Sequence, residues 1–122
     1  YKGGLMKEVY LRFIALANAI SGESPALSTV DETAKQLLDV IASRHAQDKT
    51  MTVTDTMALA NLASPATIHR KLDDLREAGL IEQIFSGNNR RTKYLVPTKT
   101  ADKYFDSLGN LMKKSLAATK LN

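Results

Sequence analysis

Ser64-Pro65-Ala66-Thr67-Ile68-His69-Arg70-Lys71-Leu72-Asp73-Asp74-Leu75-Arg76-Glu77-Ala78-Gly79-Leu80-Ile81 decides the reading of this chain. Ser64 is placed to cap the free N–H groups of a helix. Pro65 suits the first helical position, where no N–H is needed. Ile68, Leu72 and Leu75 fall on one stripe and predict a side that faces a core. That leaves Ala66, Thr67, His69 and Arg70 on or beside the outward face of the first two turns. Gly79 is placed to end the helix in a left-handed turn, and a strand follows at once. A short helix with small, hydrogen-bonding and cationic side chains at its leading end suits the major groove of DNA.

Downstream, Ile81-Glu82-Gln83-Ile84-Phe85-Ser86 and Thr92-Lys93-Tyr94-Leu95-Val96 are rich in β-branched and aromatic residues, with the turn cluster Gly87-Asn88-Asn89-Arg90-Arg91 between them. They predict a hairpin with two adjacent arginines projecting from its tip. Upstream, Met51-Thr52-Val53-Thr54 predicts a third short strand, and Asp55 to Leu62 a short helix capped by Thr54. Strand, helix, turn, helix, hairpin is the order of a winged helix-turn-helix. The expected fold is therefore mainly α with a small β-hairpin wing (α+β), its reading helix at 65–78 and its wing at 86–92.

The flanks predict two further long helices. Leu5, Val9, Phe13, Leu16, Ala17 and Ile20 share one face, and Ser21-Gly22-Glu23-Ser24-Pro25 breaks the chain after them. Val30, Ala34, Leu37, Leu38 and Ile41 mark the first core helix, over Val30 to Ala46. Beyond Thr98, a stripe of Ala101, Tyr104, Phe105, Leu108, Leu111, Met112 and Leu116 runs toward the C-terminus. In a single domain of 1–122 these give an N-terminal helix at 5–21, a winged lobe at 28–97 and a C-terminal helix at 98–119. The first and last helices exceed what a minimal winged helix needs, and exposed apolar stripes are a liability on a monomer. Leu5, Val9, Phe13, Ile20, Tyr104, Leu108, Leu111 and Met112 are the expected dimerisation residues. The plainer alternative is that both helices cover their own domain. A two-fold dimer would set two reading helices roughly 34 Å apart on a pseudo-palindromic operator.

The charge is uneven. Residues 1–63 hold 6 Lys+Arg against 7 Asp+Glu, and residues 64–122 hold 11 against 6, so the net +4 comes from the second part. The excess begins where the reading helix begins, which fits phosphate binding with counterion release. With 122 residues and 43% hydrophobic side chains the chain can build one core. It has no cysteine, hence no disulfide, thiolate site or thiol-based sensing. No apolar run reaches the length of a membrane span and no signal-peptide pattern opens the chain, so the cytoplasm is the default. The chain opens at Tyr1 with Gly3-Gly4 close by, which leaves the native status of residues 1–4 undecided.

The expected DNA-binding residues are Ser64, Pro65, Ala66, Thr67, His69, Arg70 and Lys71 on the helix, and Asn88, Asn89, Arg90, Arg91 and Lys93 on the wing. Arg70 lies opposite Ile68 and Leu72, within reach of base edges, although it would serve equally as a solvated helix residue. Ala66 could offer its methyl to a thymine, and Thr67 lies near bases or phosphates. His69 sits to the side. Lys71, nearer the core edge, is read as a phosphate contact or an intramolecular partner. Asp73 and Asp74 repel phosphate and limit insertion to the first two turns. Arg90 and Arg91 suit minor-groove insertion or the flanking backbone, while Asn88 or Asn89 could serve the turn alone.

Residues Met51 to Phe105 resemble the DNA-binding lobe of MarR-type transcriptional regulators. The Ser-Pro-Ala-Thr-Ile helix start at 64–68, Leu75-Arg76-Glu77-Ala78-Gly79-Leu80-Ile81, and the wing arginine followed by a helix start at Thr98 carry the likeness. That family has an Asp-x-Arg at the wing tip whose arginine enters the minor groove. Asn89-Arg90-Arg91 occupies the equivalent place, with Arg91 matching the arginine and Asn89 standing where the aspartate would. The resemblance implies a homodimer held by its N- and C-terminal helices. It also implies a small aromatic or phenolic effector between those helices and the winged lobes, although no residue pattern here defines such a cleft.

An enzyme is not expected. His45 and His69 are the only histidines, so no metal cluster stands at ligand spacing, and no phosphate loop, nucleophile elbow or cofactor motif is present. The expected function is sequence-specific double-stranded DNA binding by a dimeric regulator, acting as a repressor. The alternative is a winged-helix protein-interaction or replication/partition module.

Overall fold

The computed structural model describes residues 5–118; the status of residues 1–4 and the final position of the expected C-terminal helix lie outside them. The elements are α1 (Leu5–Glu23), α2 (Pro25–Ser28), α3 (Glu32–Ala46), β1 (Met51–Thr52), α4 (Val53–Met57), α5 (Pro65–Glu77), β2 (Ile81–Ser86), β3 (Asn89–Pro97) and α6 (Lys99–Ala118). The strands form one antiparallel sheet in the order β1-β3-β2. This is the expected α+β arrangement, a winged helix with long helices at either end.

The core follows the two stripes read from the sequence. Ala34, Leu37, Leu38 and Ile41 of α3 meet Ile68, Leu72 and Leu75 of α5, and Leu27, Val30, Leu80, Ile81, Leu95 and Ala101 close the cluster. Burial of each large aliphatic side chain contributes about 2 kcal/mol, so the inward face fixes how α5 lies.

Thr98 fastens α6 to the rear of α5. Its hydroxyl donates to the Gly79 carbonyl (2.6 Å) and accepts from the Ala101 N–H (3.2 Å), while its own N–H reaches the Leu80 carbonyl (3.0 Å).

Several boundaries differ from expectation. Gly22 does not break α1, which runs to Glu23; the interruption is Ser24 alone, held extended ahead of Pro25. Val30 precedes α3 rather than opening it, because Asp31 takes the N-cap and accepts the Ala34 N–H at 2.9 Å. The expected third strand is present but shortened to Met51–Thr52, and the expected Thr54 cap gives way to a Thr52 cap. Thr52 Oγ1 accepts the Asp55 N–H (3.1 Å) and Asp55 Oδ2 accepts the Thr52 N–H (2.9 Å). This reciprocal box stops β1 after two residues and starts α4 at Val53, ahead of the expected Asp55. The helix then ends at Met57, not Leu62, and three-residue turn bonds carry the chain on through Leu59.

The wing is also corrected. Gly87 and Asn88 alone connect the strands, with Gly87 at φ 54°, and β3 begins at Asn89. Arg90 and Arg91 therefore stand on a strand beside the tip rather than in a five-residue loop. The pairing slips between Phe85 and Ser86, and Ser86 faces Asn89.

Candidate nucleic-acid interface

The outward side of α5 carries two lines of polar side chains. The leading line starts at the cap: Ser64 Oγ accepts the Thr67 N–H at 3.3 Å and donates to Thr67 Oγ1 at 3.0 Å. Arg70 Nη2 donates to the same Thr67 oxygen at 3.3 Å. Residues three apart on a helix are neighbours, so Ser64, Thr67 and Arg70 form a continuous rail that aims the guanidinium. Among the described residues, Arg70 has no carboxylate within ion-pair distance. Pro65 and Ala66 are exposed beside this rail.

The trailing line is acidic, with a few local charge contacts. Asp73 lies 3.8 Å from His69 Nδ1 and 3.8 Å from Arg76 Nη1. Exposed pairs of this kind contribute little stability, and with Asp73, Asp74 and Glu77 against Arg76 the second half of the helix stays net acidic. The concave space between this half and the wing, about 680 Å³, has Asp73, Glu77 and Glu82 among its walls, against Arg76 and Lys93. Anions gain little there. The anion-attracting part of α5 is its first two turns, where the carboxylates are absent.

Lys71 takes the second of its two expected roles. Its side chain is only 19% exposed, and its ammonium is paired with Asp31, with Asp74 3.9 Å away. The pair with Lys71 and the Ala34 N–H hold the Asp31 carboxyl below the usual carboxylate range.

The wing divides its two arginines. The Arg90 guanidinium lies 5.2 Å from the centre of the exposed Phe85 ring, a cation–π contact that keeps it over β2. Arg91 is exposed, and its backbone N–H donates to Asn89 Oδ1 at 2.9 Å; the Thr92 N–H shares that oxygen at 3.3 Å. Asn89 thus orders the backbone under Arg91, a task for which an amide oxygen suffices. Asn88 occupies the exposed turn, and Lys93 is exposed on β3 opposite Phe85. Arg91 and Lys93 also border a hollow of about 310 Å³ that includes Thr52 and Thr54 at the start of α4.

Of the expected dimerisation residues, Leu5, Val9, Phe13, Ile20, Tyr104 and Leu108 are half-buried, Leu111 is buried, and Met112 is 60% exposed. α1 runs against α6, and Phe13 meets Tyr104 and Leu108 around a cavity of about 300 Å³ that reaches α3. Burial holds the Tyr104 phenol above its ordinary range; the nearby Ser21 hydroxyl acts in opposition, and the charges of Asp39 and Glu32 add to the rise. Met6, Tyr10, Leu11, Met112 and Leu116 are the large apolar side chains most exposed on these two helices.

Sequence reasoning missed Asp31. Its signal was an aspartate directly ahead of a helical stripe, a standard N-cap position. No group of acidic, histidine or cysteine side chains able to hold a metal occurs among the described residues, and no described helix is long and apolar enough to cross a membrane.

No family model matches the chain, and no curated protein does. Among solved structures, the crystal structure of RV1404 from Mycobacterium tuberculosis is similar, with a TM-score of 0.63 and 15% identity over 94% of this chain and 73% of that one. At that identity the likeness is one of fold.

Proposed function

We propose that this protein is a non-enzymatic, sequence-specific double-stranded DNA-binding regulator of MarR-like type, working in the cytoplasm as a homodimer and repressing by occluding a promoter. The observation that carries this reading is the Ser64–Thr67–Arg70 rail, which aims from the leading turns of α5 an arginine with no carboxylate partner among the described residues. An arginine so presented suits a guanine edge in the major groove, with Ala66 and Thr67 beside it. Arg91 and Lys93 extend from the wing toward the minor groove or its phosphates, and the carboxylates of α5 begin only beyond the second turn.

The apolar side chains left exposed on α1 and α6 support a two-fold partner, which places two copies of α5 about one helical turn of DNA apart. The cavity between α1, α3 and α6 is at the lower end of the size range of small-ligand sites, and in this reading it would receive an aromatic effector.

Selection of duplexes from a randomised pool at two salt concentrations, with solution mass measured alongside, tests the proposal. Enrichment of a pseudo-palindrome by a dimer is the expected result. Absence of salt-sensitive duplex binding overturns it and leaves the basic wing to be tested against protein partners.

A further inference from the structure

Asp31 serves two elements with one carboxylate. Oδ1 accepts the Ala34 N–H at 2.9 Å and caps α3, while Oδ2 holds the Lys71 ammonium on α5, 40 positions along the chain. The neighbouring Arg70 is exposed, whereas the Lys71 side chain is largely covered, and a second carboxylate, Asp74, stands 3.9 Å from its ammonium. Two carboxylates thus surround one cation on an otherwise basic leading half. Fastening α5 to α3 does not require this pair, since Ile68, Leu72 and Leu75 already lock the helix into the core. A charged pair with an exposed carboxylate adds little stability by itself. What the pair does change is the number of cations that α5 offers to a phosphate backbone.

Resting on the DNA-binding reading above, we propose that Asp31 is a specificity-determining residue: it withholds Lys71 from phosphate and so suppresses binding to DNA of arbitrary sequence. On random duplex the protein samples many poses, and any free cation adds a phosphate contact and releases a counterion. On an operator the base contacts fix the pose of α5, and Lys71 at the core edge gains less. Withholding the cation therefore lowers random binding more than operator binding and widens the ratio between them.

The test compares wild type, Asp31→Asn and Asp31→Ser on a selected operator and on random duplex across a salt series. Both replacements retain an oxygen able to cap Ala34 and remove the charge, and thermal melts identify which of them folds. The expected result is a salt slope on random DNA steeper by about 0.9 and a random-duplex affinity about 5–10-fold higher at 0.1 M salt. The operator gains less, so the specificity ratio falls. Adding Lys71→Met removes the gain. Glu23→Gln, which adds the same unit of net charge at the last position of α1, does not reproduce it.

Unchanged slopes in the folded Asp31 variants overturn the proposal, as does a gain that survives Lys71→Met or that Glu23→Gln reproduces. Failure of the wild type to bind any duplex in a salt-dependent way overturns the DNA-binding reading itself.

Discussion

Arg70 and Arg91 carry the same guanidinium group, yet their surroundings give them different work. Arg70 is aimed by Thr67 from a helix whose orientation the core fixes, so in the proposed complex its donors would arrive at a defined place on a base pair. Arg91 stands on a strand near a two-residue turn, ordered at the backbone by Asn89 but with a long side chain in solvent. The first geometry suits reading and the second suits charge. Arg70→Ala is therefore expected to cost random duplex no more than one phosphate contact and to cost the operator about 1–3 kcal/mol beyond that, which reduces discrimination. Arg91→Ala is expected to weaken both equally and flatten the salt slope by about 0.9. Binding isotherms over a salt series separate the two. Equal losses on both DNAs for Arg70→Ala would make it a backbone contact, and an unchanged slope for Arg91→Ala would show the wing disengaged.

Two helices end in the same motif with different residues at its strained position. After α5, the Gly79 N–H reaches the Arg76 carbonyl (3.0 Å) and the Leu80 N–H the Leu75 carbonyl (2.9 Å), with Gly79 at φ 75°. After α3, the Asp48 N–H reaches His45 (3.1 Å) and the Lys49 N–H reaches Arg44 (2.9 Å), with Asp48 at φ 58°. Left-handed backbone costs a side chain about 1–2 kcal/mol that glycine avoids. Nothing lies within 4 Å of a Cβ built on Gly79, so Gly79→Ala is expected to destabilise by about 1 kcal/mol through backbone conformation alone. Asp48→Gly is expected to stabilise by a similar or smaller amount, and urea melts of both variants measure the difference. Equal stabilities would show that neither turn is strained. Such endings explain what could be read in advance. The α5 signals are local and agree with one another: a Ser-Pro start, an apolar stripe, a glycine stop. At residues 52–55 two threonines compete for one cap, and Asp55 decides for Thr52 by closing the reciprocal bond. The Thr-x-x-Asp spacing of 52–55 was the signal for Thr52, which the expected Thr54 cap passed over. At the wing, a run of five turn-forming residues concealed how few of them the turn uses, since Gly87 supplies the one positive φ and Asn89 pairs into the strand.

Across the whole molecule, an apolar stripe states that a face is covered but not by whom. Leu5, Val9, Phe13 and Ile20 form the stripe of α1, and they are half-buried within a single chain in which α1 already lies against α6. That covering uses the side chains first expected at a dimer seam. The apolar residues left over are Met6, Tyr10 and Leu11, which lie off the stripe of α1, and Met112 and Leu116, which belong to the expected stripe of α6 yet stay exposed. Proposed dimerisation therefore falls on them, with Met112, at 60% exposure, open to substitution without disturbing the core. Met112→Glu is expected to leave the melting temperature of the isolated chain nearly unchanged while placing a charge in the seam. Binding to one half-site should persist with the slope of the wild type. Binding to a full palindrome should fall by about 100-fold or more, because the second lobe loses the effective concentration that linkage provides. Sedimentation at the concentrations used for binding reads the mass directly. A dimer that survives Met112→Glu with full palindrome affinity would move the seam off this face, whereas monomers that retain that affinity would show that each lobe recognises its site unaided.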